Sequence, residues 1–234
     1  MRGEADIAAA AALLAEPART ALLLAVMDRG RPPSGELAAR AGIAPSTASD
    51  HLSRLVDGGF LKTSKSGRHR YYELADPAVA AAVEALAIVA PQREVRSLRE
   101  ATRSELIRYA RTCYDHLAGQ IGVALASALE DDGTLVRCDG EYAVGPQADE
   151  RLARLGIDLP GLRGLRRPLV RACLDWSERE PHVAGALGAA LTARLFELGW
   201  IERRAGNRSV ELTSAGRAGL AREFGVDRMH LRAA

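Results

Sequence analysis

The chain is short of aromatic residues, short of cysteine and without a long apolar run, and each shortage excludes something. Aromatics are 4% of the 234 residues, so a core has to be assembled mainly from Ala, Leu and Val, which favours closely packed helices. Three cysteines, Cys113, Cys138 and Cys173, are too few and odd in number for a secreted disulfide scaffold. The apolar stretch Ile7–Leu14 meets Glu16 and Arg19 at once. It is too short for a membrane span and a poor signal peptide, so a cytoplasmic protein is expected. Gly-x-Gly-x-x-Gly, Gly-x-x-x-x-Gly-Lys, Gly-x-Ser-x-Gly and His-Glu-x-x-His are all missing. No residue pattern sets a nucleophile beside a base, and an enzyme is not expected. A formal net charge of +2 is only weakly basic, so the placement of the charges matters more than their sum.

What is present begins with a helix-turn-helix pattern. Pro17 suits the first turn of a helix whose apolar face is Leu22, Leu23, Val26 and Met27. Ser34 reads as the N-cap of a helix ending at Gly42. A second helix follows from Pro45 to about Asp57, with Ala48, Leu52, Leu55 and Val56 on one side. A reading helix needs small or polar groups at its exposed start. Ser46, Thr47, Ser49 and Asp50 are of that kind, and His51 and Arg54 follow.

Next comes a hairpin, with strands 60–64 and 69–74 around a turn at Lys65-Ser66-Gly67-Arg68. Lys62, Lys65, Arg68, His69 and Arg70 crowd its tip. Like charges held this close suit backbone phosphate or a minor groove. Beyond Asp76-Pro77 a long helix is expected to about Ala110, bent near Pro91.

These stretches closely resemble the ArsR-type winged-helix repressors. The resemblance covers residues 10–76. It rests on Leu13-Leu14-Ala15-Glu16-Pro17-Ala18-Arg19, Glu36-Leu37-Ala38, Ser46-Thr47-Ala48-Ser49-Asp50-His51-Leu52, Leu55-Val56-Asp57-Gly58-Gly59-Phe60-Leu61 and Gly67-Arg68-His69-Arg70-Tyr71-Tyr72-Glu73-Leu74. It implies a homodimer that binds operator DNA and leaves it when an effector binds, with Ile7–Leu14 and Pro77–Ala110 as the dimer helices. The family's thiolate site on the first helix of the helix-turn-helix has no cysteine here, and Pro77–Ala110 has no histidine. That puts ordinary arsenic or zinc sensing in doubt.

The second half repeats itself. His116-Leu-Ala-Gly119 matches His182-Val-Ala-Gly185. Gly122, Leu125, Leu129, Gly133 and Leu135 match Gly188, Leu191, Leu195, Gly199 and Ile201 at the same offset. Each copy reads helix, glycine, hairpin, helix, and Leu52-x-x-Leu55-x-x-Gly58-Gly59-Phe60-Leu61 in the first half has the same helix-into-hairpin pattern, which points to three winged-helix-like units in series. The expected fold is therefore mainly α with small β-hairpin wings. Residues 1–111 would bind DNA and dimerise, and the duplicated winged-helix-like module 112–234 would sense the effector.

Cys113 and His116 open one copy, Cys173 and His182 the other. With Cys113-x-x-His116 read as one helical turn, the four converge if the copies pack with pseudo-symmetry. Thiolate plus imidazole suits zinc or copper. Thiol oxidation and a purely structural role stay open beside it. So does an organic effector held near Tyr114, Asp115, Asp175 and Trp176. Against the DNA-binding reading stands a winged-helix scaffold that contacts proteins.

Overall fold

The computed structural model describes residues 4–29, 31–67, 69–91, 94–204 and 207–226. The chain forms two compact units, residues 1–83 and 84–234.

In the first unit α1 (Ile7–Leu14) and α2 (Pro17–Arg29) precede α3 (Ser34–Ala41) and α4 (Pro45–Asp57), and the hairpin β1 (Leu61–Ser66) and β2 (His69–Leu74) follows. Leu22, Leu23, Val26 and Met27 of α2 are buried with Leu37, Leu52, Leu55, Leu61 and Tyr72. The apolar positions read from the sequence thus form the core on which α3 and α4 are set. Gly42 ends α3 with φ +66°, and the Ile43 N–H returns to the Ala38 carbonyl. A side chain is strained in that left-handed turn, which is why glycine marks the bend into α4. Pro33, not Ser34, is the N-cap of α3. The strands also run further toward the tip than expected, with Lys65 opposite Arg70 and Ser66 opposite His69. Arg68 lies outside the described residues.

The long helix expected over 77–110 is two helices, α5 (Pro77–Val89) and α6 (Leu98–Tyr109). Pro91 cannot supply an amide hydrogen to continue α5. A new start is built at Ser97, whose hydroxyl accepts from the Glu100 N–H while Glu100 accepts from the Arg96 N–H. The division into compact units falls inside α5, at 83/84. Glu84 pairs with Arg208 and so belongs with the second unit.

That unit continues with β3 (Arg111–Cys113), β4 (His116–Ala118), α7 (Gln120–Asp131), β5 (Leu135–Cys138), β6 (Glu141–Val144), α8 (Ala148–Arg154) and α9 (Leu159–Arg163). Then come β7 (Arg171–Leu174), β8 (Pro181–Ala184), α10 (Gly185–Glu197), β9 (Ile201–Arg203), β10 (Val210–Leu212) and α11 (Ser214–Phe224). The order helix, hairpin, helix recurs as α7-β5-β6-α8 and α10-β9-β10-α11. A further hairpin, not a second helix, stands directly before α7 and α10. The matched leucines 125 and 191, 129 and 195, and Leu135 with Ile201 are all buried in one core. β4 packs on α10 and β8 on α7, so the copies are exchanged across their middle. Gly122 and Gly188 let each helix sit close against the leading hairpin of its own copy. A Cβ on Gly122 would lie 2.6 Å from the Leu117 carbonyl oxygen, and one on Gly188 2.2 Å from that of Val183. The same two positions face the other copy's histidine, His182 and His116 respectively.

Among the described residues no single helix is long and apolar enough to cross a membrane.

Candidate DNA interface and thiol–imidazole cluster

α4 turns two different faces outward and inward. Ala48, Leu52 and Leu55 are buried, while Ser46, Thr47, Ser49, Asp50, Ser53 and Arg54 are exposed and His51 is half-buried. The 3.6-residue period puts the polar set on one stripe. Pro45 stands in the first turn and no side chain caps the N-terminus. The first-turn amides are therefore free to meet an anion. Ser53, which the sequence pattern did not single out, is exposed beside Arg54.

Lys62, Lys65, His69 and Arg70 are exposed on the hairpin. Lys62 lies 4.0 Å from Glu73, whereas Lys65 faces Arg70 directly. Like charges in cross-strand register repel, and an approaching polyanion relieves that repulsion. Arg31 is a basic residue that the sequence reading passed over. Its guanidinium donates to Ser64 Oγ at 2.7 Å and lies 5.2 Å from the Tyr71 ring centroid, joining the 31–33 segment to the wing. Only its place beside the hairpin reveals it.

The second unit carries a different chemistry. Cys113 and His116 do not sit on a helical turn. They are cross-strand partners in the β3–β4 hairpin, and Cys173 and His182 are partners in β7–β8. Cross-strand partners project to one face, so each hairpin presents a thiol beside an imidazole. Tyr114, at φ +60°, and Asp115 make the tight first turn. The second hairpin carries a long loop from Leu174 to Pro181. With β4 packed on β8, one donor atom from each of the four residues lies within 4.8 Å of the others. The sulfurs are 4.0 Å apart, and the imidazoles stack with centroids 5.1 Å apart.

The carboxylates beside them differ. Asp115 Oδ1 is 3.2 Å from His116 Nδ1, and Arg167 donates to Asp115 Oδ2 at 2.6 Å. Burial works to raise the Asp115 carboxyl, but His116 and Arg167 outweigh it and hold it below its ordinary value. Burial likewise opposes charge on His116, and Asp115 with Cys173 more than offsets this, leaving its pKa raised. Asp175 is wholly buried. It accepts from the Gly119 N–H at 2.7 Å and from the Ser177 N–H and hydroxyl, and Arg111 lies 2.9 Å away as an ion pair. Burial alone would raise its carboxyl; Arg111 and these donors hold it far below the usual range. His182 Nδ1 is 3.4 Å from Asp175 Oδ2, off the direction of a hydrogen bond. The two thiols are pushed apart. The Cys173 contact and burial raise Cys113, while Cys113 and the two histidines lower Cys173.

Two of the candidate effector residues are engaged within the unit. Trp176 lies under the Arg111 guanidinium, 4.7 Å from ring centroid to carbon, and Asp175 is sealed in the ion pair. A cavity of about 460 Å³ is lined by Gln120, Val123, Ser127, Glu178, Phe224 and Val226 among others, and Tyr114, Asp115, Asp175 and Trp176 are not among its walls.

Two helices joined by a glycine turn, the second with an exposed polar stripe, and a basic hairpin after them define a winged helix-turn-helix DNA-binding protein. Residues 14–64 match the family model described as a helix-turn-helix domain. The chain is 42% identical over 221 residues to an uncharacterized HTH-type transcriptional regulator, YdfF, of Bacillus subtilis, covering 94% of this chain and 98% of that one. It is 40% identical over 67 residues to a probable mercury resistance operon repressor of Streptomyces lividans, 29% of this chain and 53% of that one. Its likeness to the transcriptional repressor BigR of Xylella fastidiosa has a TM-score of 0.35 at 26% identity, over 38% of this chain and 89% of that one. The chain belongs to the HTH-type transcriptional regulators. It is a DNA-binding regulator of transcription, and its N-terminal unit carries the helix-turn-helix with its hairpin wing.

Proposed function

We propose that the protein is a homodimeric repressor that reads its operator with α4 and the wing, and that leaves it when an effector occupies the thiol–imidazole cluster. The observation that carries this is the exposed stripe of α4 beside the basic hairpin. On this reading Ser46, Thr47, Ser49, Asp50, His51 and Arg54 meet base edges and flanking phosphates. Lys62, Lys65, Arg68, His69 and Arg70 supply phosphate contacts, which position the protein without reading sequence.

Dimerisation has its own support. α1 is apolar throughout yet buries no residue, and Ile7 is 78% exposed. On α5, Leu86 and Val89 are also exposed. Apolar faces of this kind gain from burial against a second copy. The protein acts in the cytoplasm on this reading, as a regulator and not as an enzyme.

The test is selection of bound duplexes from a random library, followed by titration over a range of salt. The expected product is a near-palindrome whose half-sites lie about one helical turn of 10–10.5 base pairs apart or a multiple of it. Affinity should fall steeply with salt, since bound phosphates release counterions. Failure to enrich any sequence, with weak binding indifferent to salt, would leave the protein-contacting scaffold as the better reading.

A further inference from the structure

We infer that Cys113, His116, Cys173 and His182 form a closed tetrahedral site for one zinc ion, held through both sulfurs and both imidazole Nε2 atoms; the inference deepens the reading of this cluster as the effector position. The donor set is two thiols and two imidazoles, a combination that in tetrahedral array selects zinc among common divalent ions. The spacing fits. Zinc–sulfur bonds of about 2.3 Å place two tetrahedral sulfurs roughly 3.7 Å apart, and these sulfurs are 4.0 Å apart.

The nitrogens are set up for a cation. An ionised carboxylate can only accept, so Asp115 draws the His116 proton onto Nδ1 and leaves Nε2 as the lone pair. Asp175 Oδ2 lies 3.4 Å from His182 Nδ1 without a hydrogen bond, so only its negative charge bears on that ring. Both Nε2 atoms are buried and meet no hydrogen-bond partner, and both histidines are more than nine-tenths buried. A buried lone pair without a donor is costly, and a metal ion removes that cost. A carboxylate behind a ligating histidine is also the usual outer-shell arrangement.

Charge balances as well. Each sulfur binds zinc as a thiolate and each imidazole as the neutral base, so the protons shared among the two cysteines and His116 pass to solvent as the bonds form. One Zn²⁺ enters and two protons leave, so the occupied centre is neutral and no oxidant or reductant is needed. A neutral centre suits a buried place. Because each copy of the repeat contributes one cysteine and one histidine, the ion bridges the two copies.

The experiment is an optical titration of the full chain, stripped with a chelator and kept reduced, with Co²⁺ as the probe and no DNA present. The expected result is a thiolate-to-cobalt charge-transfer band with strong tetrahedral d–d bands, saturating at one Co²⁺ per chain and displaced by one Zn²⁺. In Cys113→Ser and Cys173→Ser the charge-transfer intensity should fall by about half. Should either variant fail to fold, Asp115→Asn decides. It keeps all four ligands, so the tetrahedral spectrum should persist with affinity about 10–100-fold weaker. A pale octahedral spectrum in the native chain, or bands untouched in both cysteine variants, overturns the inference. Cobalt bound as expected while zinc leaves operator affinity unchanged upholds the site and sinks only its effector role.

Discussion

The two copies of the C-terminal repeat place the same pair of donors on the same kind of hairpin, and they differ in what stands behind the pair. In the first copy Cys113 is buried, the turn is tight, and Asp115 is partly open to solvent beside Arg167. In the second, Cys173 is half-buried, the loop is long, and Asp175 is sealed with Arg111. Arg111 itself comes from the first copy. Duplication thus produced a symmetric set of donors, while the supporting charges became unequal. One aspartate orients a histidine near the surface. The other also anchors the loop and the two copies together.

The sharpest way to break this comparison is to neutralise each aspartate. Asp175→Asn leaves Arg111 buried without its counter-charge and should cost about 3–5 kcal/mol. Asp115→Asn removes a partly exposed pair and should cost about 0–1 kcal/mol. Urea unfolding of the metal-free chain measures both, and equal costs would end the distinction. Next in size are the matched glycines. Gly122→Ala and Gly188→Ala each drive a methyl into a backbone carbonyl and should cost about 1–3 kcal/mol. Gly188→Ala should be the worse, because its approach is 2.2 Å against 2.6 Å. Thermal melts would show whether the copies are packed as alike as they look.

A third test sets the two units against each other. Lys65→Ala combined with Arg70→Ala should reduce the slope of log affinity against log salt by about 0.9 for each phosphate that the wing no longer neutralises. Unfolding of the zinc-bound chain should not change, since both side chains are exposed. A slope that stays put would remove the wing from the DNA interface. The smallest effect is one of order. In the metal-free protein, alkylation followed by mass mapping should label exposed Cys138 and half-buried Cys173 before buried Cys113. Labelling of Cys113 first would reverse the assignment of the open side.

Much of the first unit was legible because its signals are local. Gly42 marks the bend, Pro45 the start of α4, and the period of Ala48, Leu52 and Leu55 separates the buried side from the polar stripe. Arg31 escaped because its role depends on Ser64 and Tyr71, which reach it only through folding. In the second unit the repeat was visible as matched glycines and leucines. The leading hairpin of the first copy was not, since a Cys-x-x-His spacing fits a helical turn as well as a two-residue hairpin turn, and in the second copy a long loop separates Cys173 from its partner His182.

By itself the sequence determined a winged helix-turn-helix with a polar reading face, a basic wing, and a duplicated second half with one cysteine and one histidine opening each copy. Periodicity, turn residues and charge placement act over a few residues, and so they can be read directly. The tertiary structure alone decided that Cys113 and Cys173 meet at 4.0 Å, that Asp175 is answered by Arg111, and that the two histidines stack. Those contacts depend on packing β4 against β8 across the interior, and side chains far apart in the chain become neighbours only when that core closes.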